Sequence, residues 1–307
     1  MKKEQIKKLV FKSLEAKPHN IEIFKNCFEI SSVKEDFLFL EKKLKNYIKN
    51  SPFEYIGLKL LLLISLRLNK REECYLYLKE IIKETSQENT SALAISAYLE
   101  SEIFKSNENR VYFNTKRDVK QYNLDPAFSD KYSKEIISSI NNSFTPHSEP
   151  KDQSVKKGSV RYLKLGKNNY LDNLFFDLNK YVNDFISSIN ESSSPIDIPD
   201  LEDLYPGFWT VSLKNEGNML PHFHPRGIIS GVIYLQLEKN SGGELFMGCE
   251  PSGVKEKRDL LKIKTEPFKL VLFPSYYFHR TSIYVGKKER ICLSFDFMTE
   301  NQKMRNY

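Results

Sequence analysis

Apolar residues between positions 4 and 105 recur at helical spacing. Ile6, Leu9, Val10 and Leu14 share one face, as do Phe37, Leu40, Leu44, Tyr47 and Ile48. Leu61, Leu62, Ser65 and Leu68, then Tyr75, Leu78, Ile81 and Ile82, continue the pattern. Breaks are predicted at Lys17-Pro18-His19-Asn20, at Asn50-Ser51-Pro52 and at Ser86-Gln87-Glu88-Asn89. From residue 207 the pattern changes. Short runs of branched and aromatic residues alternate with glycine, proline and asparagine turns, which predicts strands. These fall near Phe208–Leu213, Ile228–Leu235, Glu244–Met247, Leu260–Ile263, Lys269–Phe273, Thr281–Tyr284 and Ile291–Met298.

Pro18 and Pro52 stand 34 residues apart, and the helical pattern restarts at Asn89 about one period later. That is the period of tetratricopeptide-like hairpins, with an irregular helical bundle as the alternative. Residues 1–105 are therefore read as a helical repeat-like domain. Residues 106–158 read as a polar linker and lead-in with one helical patch, Asp130–Asn141. Residues 159–307 form the last domain, opening with a strand at Val160–Leu165, a helix at Asn168–Ile189 and the serine-rich loop Ser192–Pro195. The expected class is α+β. Seven or eight short antiparallel strands suggest a jelly roll, two sheets facing across a cavity.

Composition changes this picture little. The net charge of +7 is spread as lysine among acids, as in Lys70-Arg71-Glu72-Glu73, so it describes solvated helix faces more than a nucleic-acid groove. Cys27, Cys74, Cys249 and Cys292 form no CxxC pair and read as reduced, buried small hydrophobes. The most apolar stretch, Leu58–Leu68, is too short and too charged for a membrane span, and the first residues lack the apolar core of a signal peptide. A cytoplasmic protein is expected.

The candidate chemistry lies in three histidines. His222 and His224, in Pro221-His222-Phe223-His224-Pro225, project to one side of an extended chain. His279 closes the apolar run Val271–Phe278 and could complete a facial set of ligands for a first-row metal. Arg290 opens the next strand, and its planar fork suits a carboxylate. A metal beside a carboxylate anchor points to an oxygenase that uses an oxo-acid.

Five short motifs in order strengthen that direction. They are His222-Phe223-His224-Pro225, Ser230–Leu235 (SGVIYL), Gly242–Phe246 (GGELF), Phe273–His279 (FPSYYFH) and Arg290–Phe295 (RICLSF), preceded by Asp152–Gly158 (DQSVKKG). In this order the chain resembles a family of 2-oxoglutarate/Fe(II)-dependent oxygenases, often fused to N-terminal tetratricopeptide-like repeats. The resemblance implies a double-stranded β-helix (jelly roll/cupin-like) with flanking helices, binding Fe(II), 2-oxoglutarate and O2 and releasing succinate and CO2. It implies His222, His224 and His279 as metal ligands, although His224 stands where most such oxygenases hold an aspartate. It implies Arg290 on the distal carboxylate of 2-oxoglutarate, helped by Tyr234, by Ser294 or Cys292 on the same strand face, and by Asn218. Glu244 reads as a rim residue and Trp209 as core. Two other readings stay open: a non-catalytic scaffold with a vestigial or zinc-filled barrel, and a three-histidine cupin-like metalloenzyme that does not use 2-oxoglutarate. The substrate, small molecule or peptide, is not specified, and the helical half could bind a protein partner. Nucleic acid and membrane are not expected partners.

Overall fold

Residues 3–17, 20–50, 55–85, 89–104, 110–125, 131–138, 154–163, 169–249 and 261–304 are described in this computed structural model. The chain divides into two compact units, Met1–Ile103 and Phe104–Tyr307.

Among the described residues the first unit holds six helices: α1 (Lys3–Ala16), α2 (Ile21–Ile30), α3 (Lys34–Asn50), α4 (Tyr55–Arg67), α5 (Arg71–Thr85) and α6 (Thr90–Ile103). Each packs on the next in sequence, and α2 also packs on α4. Asn20 caps α2 by accepting the Glu22 amide, which is why the helix restarts there. The predicted breaks at Pro18-His19, Ser51-Pro52 and Ser86–Glu88 lie outside the described residues. The apolar stretch at Leu58–Leu68 is explained by α4 serving two cores. Leu60, Leu61 and Ile64 pack with Leu14, Phe24 and Leu44, while Leu58 and Leu62 pack with Leu78, Ile81 and Leu99. A helix covered on both sides is apolar all round without meeting lipid. Among the described residues no helix is long and apolar enough to cross a membrane. All four cysteines are buried and outside any disulfide, and burial pushes the Cys27 thiol up to about 11 and Cys74 to about 12.

The second unit is built on antiparallel strands. They are β1 (Lys120–Asn123), β2 (Val155–Leu163), β3 (Tyr205–Met219), β4 (Ile229–Gln236), β5 (Leu245–Met247), β6 (Leu261–Ile263), β7 (Lys269–Pro274), β8 (His279–Thr281) and β9 (Arg290–Met298). A six-stranded sheet runs β1-β7-β4-β9-β3-β2 and a three-stranded sheet β6-β5-β8. The helices are α7 (Thr115–Asp118), α8 (131–138), α9 (Asn169–Asn190) and α10 (Glu300–Met304). Along α9 the predicted positions Leu171, Leu174, Leu178, Val182 and Phe185 are all buried. Phe175 of α9 meets Phe297 of β9 at 5.9 Å, and Leu174 and Ile136 share a small void with Ile233 and Leu293. These contacts place α8 and α9 on one face of the large sheet, leaving the other face to line the site.

Besides the earlier start of β2 at Val155 and the short helix α7, both in the stretch read as a linker, three departures from the sequence reading have physical reasons. β1 lies in the stretch read as a polar connection, because only its pairing with Lys269–Leu272 makes it a strand. The predicted strand Thr281–Tyr284 starts instead at His279, and Tyr284 makes only single bridges to Gly217 and Gly242. β3 runs on to Met219, where Asn218 and Met219 pair with Lys156 and Val155 of β2.

The glycine of the SGVIYL run has a packing role. A Cβ on Gly231 would come within 2.2 Å of the Phe295 ring and 2.9 Å of Leu272. Gly231→Ala is therefore expected to lower stability by roughly 1–3 kcal/mol through overpacking. Urea unfolding checks this, and an unchanged midpoint would show that the ring has room to move.

Candidate metal centre

The stretch after β3 is threaded against the start of β8. The His222 amide donates to the His279 carbonyl at 3.0 Å, and the His279 amide returns the bond at 2.8 Å. Two residues on, the His224 amide donates to the Ser275 carbonyl at 2.9 Å. This extended, pinned backbone turns both side chains of the HxH pair the same way, towards His279. The ring centroids lie 4.2 Å apart for His222 and His279, 4.9 Å for His224 and His279, and 5.4 Å for His222 and His224. Each ring offers one nitrogen within 4.8 Å of the others.

The other nitrogens are already committed. His222 Nδ1 lies 2.7 Å from the Leu220 carbonyl, His279 Nδ1 2.9 Å from the Tyr277 carbonyl, and His224 Nδ1 2.7 Å from Asp296 Oδ1. Acceptors at Nδ1 fix the proton there and leave the Nε2 lone pair as the ligand atom. This is how metal-binding histidines are held by their surroundings. Burial first, then the charges His222 and His224 would carry, hold the His279 imidazole well below the usual 6.5, outweighing the Tyr277 carbonyl. The neutral form is the one that binds metal.

That shift has a sign. Folded His279 takes up a proton less readily than it does in the unfolded chain, so acid favours unfolding. In metal-free protein this contribution is level above the unfolded value near 6.5 and is lost as the pH falls below it, at up to about 1.4 kcal/mol per unit. Urea unfolding of chelator-treated protein from pH 8 to 5.5 tests this. Stability that rises on acidification, with His279→Phe behaving alike, would contradict it.

The turn carrying His279 is tied down from outside the predicted motifs. Tyr277 donates to buried Asp118 at 2.5 Å and accepts from the Asn114 amide at 2.9 Å, while Tyr276 donates to the Tyr112 carbonyl. Asp118 in turn holds Arg117.

Arg290 opens β9, the strand that also carries Asp296, the partner of His224. Strand alternation puts Arg290, Cys292, Ser294 and Asp296 on one face of β9, and pairing puts Tyr234, Val232 and Ser230 of β4 beside the last three. Arg290 is 2% exposed, its guanidinium lies over the Tyr234 ring at 5.1 Å, and its Nη1 meets Cys292 Sγ at 3.6 Å. Neither Arg290 Nε nor the Tyr234 hydroxyl has a hydrogen-bond partner among the described residues, and no carboxylate there pairs with the guanidinium. Burial holds the Tyr234 hydroxyl protonated, above its usual range. Ser294 is buried, 4.0 Å from Cys292 Sγ. Gly243, at φ +72°, lies against the arginine: a Cβ there would sit 2.8 Å from Arg290 Cδ, which explains the second glycine of GGELF.

Other predicted residues fall elsewhere. Asn218, half-buried near the end of β3 opposite Lys156, has no hydrogen bond to the histidines or Arg290 among the described residues. Glu244 is engaged by Ser282 and, at 3.1 Å, by Lys262, so it sits outside the histidine cluster. Trp209, read as core, is half-buried and edge-on to His224 at 5.4 Å. Sequence reasoning gave no role to Asp296, Ser230 or Asp118. A signal existed for Asp296, the single acid of an otherwise largely apolar strand and in phase with Arg290. The Asp152-Gln153 part of the upstream motif lies outside the described residues.

Three convergent imidazoles, of which His279 is buried, and a buried guanidinium on β9 are residue types that could hold a metal and a carboxylate. The family resemblance is confirmed over this segment: residues 207–296 match the family described as "Putative 2OG-Fe(II) oxygenase". No curated protein matches the sequence. Among solved structures, a Pseudomonas putida prolyl-4-hydroxylase is 15% identical over 60% of this chain and 94% of its own, with a TM-score of 0.43. A Trichoplax adhaerens prolyl hydroxylase, in complex with a hypoxia inducible factor peptide fragment, is 13% identical over 74% of this chain and 99% of its own, at 0.44. A Burkholderia pseudomallei oxidoreductase of the 2OG-Fe(II) oxygenase family is 13% identical over 59% of this chain and 84% of its own, at 0.40.

Proposed function

We propose that the chain is a 2-oxoglutarate- and Fe(II)-dependent dioxygenase whose β-rich unit is a double-stranded β-helix. One observation carries this reading: a buried guanidinium with an unpartnered Nε, on the sheet face that also serves three convergent imidazoles. A buried cation without an acid is costly, so this position suits a ligand that brings its own carboxylate.

His222, His224 and His279 would hold Fe(II), and Arg290 would take the far carboxylate of 2-oxoglutarate. The Tyr234 hydroxyl can donate to that carboxylate, and Ser294 offers a second hydroxyl on the same face. Once bound, iron and 2-oxoglutarate supply the oxidation of a C–H bond by O2, with succinate and CO2 as co-products and hydroxylation as the simplest outcome. The chain's own contribution is to fix three neutral imidazoles, orient the co-substrate from its far end, and line the same sheet face with Val232, Val271 and Phe273. The neighbour-on-neighbour packing of α1–α6 supports the repeat-like reading of the first unit. The substrate is a small molecule or a peptide.

The zinc-filled scaffold and the cupin-like enzyme give Arg290 nothing to do, and the test separates them. Anaerobic titration of metal-free protein with Fe(II) and 2-oxoglutarate is expected to raise the weak visible charge-transfer band of chelated 2-oxoglutarate. Metal bound without that band would overturn the oxygenase reading in favour of those two.

A further inference from the structure

The face of β9 that begins with Arg290 ends with Asp296, a carboxylate that is 7% exposed. Its partners are His224 Nδ1 at 2.7 Å and the Ser230 hydroxyl, which donates to the same oxygen at 2.6 Å. Ser230 Oγ also lies 2.8 Å from Ser275 Oγ, so the serines form a short relay behind the carboxylate. No lysine or arginine reaches Asp296 among the described residues. The three histidines are therefore not equivalent. His222 and His279 rest on neutral backbone carbonyls, and only His224 rests on a charged group. Glu244 is committed to Lys262 and Ser282.

We propose that Asp296 is the positioning residue of the metal centre, acting one ring away from the metal. It takes the Nδ1–H of His224, turns Nε2 towards His222 and His279, and supplies through the ring the negative charge that three neutral imidazoles lack. A carboxylate behind an imidazole raises its basicity as a ligand, and losing such a partner typically weakens metal binding 10- to 100-fold. This rests on the three histidines holding a metal, so the test reads metal binding alone.

Full-length, metal-free protein is titrated with Co(II) without 2-oxoglutarate, following the visible d–d bands. Asp296→Asn keeps an oxygen that can accept the Nδ1–H but removes the charge. It is expected to weaken Co(II) binding about 10- to 100-fold, and to have no further effect when combined with His224→Ala. Binding equal to wild type, or an effect that adds to His224→Ala, would overturn the proposal while leaving the oxygenase reading intact. Failure of wild type to bind Co(II) would overturn both. Should Asp296→Asn not fold, proton–nitrogen NMR of Zn(II)-loaded wild type decides. The His224 Nδ1–H should resonate downfield of those of His222 and His279, and three matching shifts would overturn the assignment.

Discussion

Arg290→Met is expected to raise the dissociation constant for 2-oxoglutarate by about a hundredfold or more while leaving metal binding near wild type. Breaking a buried charge pair by removing one partner is worth about 3–5 kcal/mol, and each 1.4 kcal/mol is a factor of ten. The loss should be this large because the bond would form at a side chain only 2% exposed, with the Tyr234 hydroxyl beside it. A second readout moves the other way. Without ligand the guanidinium is held by a ring contact with Tyr234 and a weak bond to Cys292 Sγ. Replacing it by a neutral chain of similar length should therefore leave the thermal stability of the ligand-free protein equal or higher. A structural arginine would show the reverse pattern, with lower stability and unchanged 2-oxoglutarate binding. Isothermal titration and thermal melts on the same two proteins separate the cases.

His279→Ala is expected to abolish stoichiometric Fe(II) binding at micromolar protein. It removes one of three donors, a larger loss than the 10- to 100-fold typical of an outer partner. Folding should survive, because the bridge between residues 222 and 279 is made by backbone groups. Far-UV circular dichroism should therefore be unchanged, and the charge-transfer band absent. Retained stoichiometric iron would mean that the other two histidines and a different group form the site, and the ligand assignment would fall. His222→Ala and His279→Ala should match each other. Both rings rest on backbone carbonyls and lie 4.2 Å apart.

Much of this was legible in the chain because strands and helices leave different periodicities. The α9 stripe of Leu171, Leu174, Leu178 and Val182 buries as its 3.6-residue spacing predicts. The alternation along Arg290–Asp296 told which β9 side chains share a face before any partner strand was known. β1 was not legible, since an edge strand of Lys120-Gln121-Tyr122-Asn123 has no local signal strong enough to stand apart from a loop. The start of β8 was missed for a related reason. Its first residue, His279, becomes a strand residue through pairing with Met247 and His222, which are 32 and 57 positions upstream.

The sequence by itself determined the residue types of the site and the faces on which they lie: two histidines in phase, a third beyond an apolar run, and an arginine opening a strand. Those follow from covalent geometry, because alternate residues of an extended chain point the same way whatever surrounds them. Only the tertiary structure decided what each group meets. It left Arg290 buried without an acid among the described residues, put backbone carbonyls behind His222 and His279, and put Asp296 behind His224. It also anchored the His279 turn on Asp118, about 160 residues upstream in sequence. Such pairings depend on burial and on contacts between distant strands. Those set the local dielectric and the hydrogen-bond partners that decide whether a histidine is a ligand and an arginine an anchor.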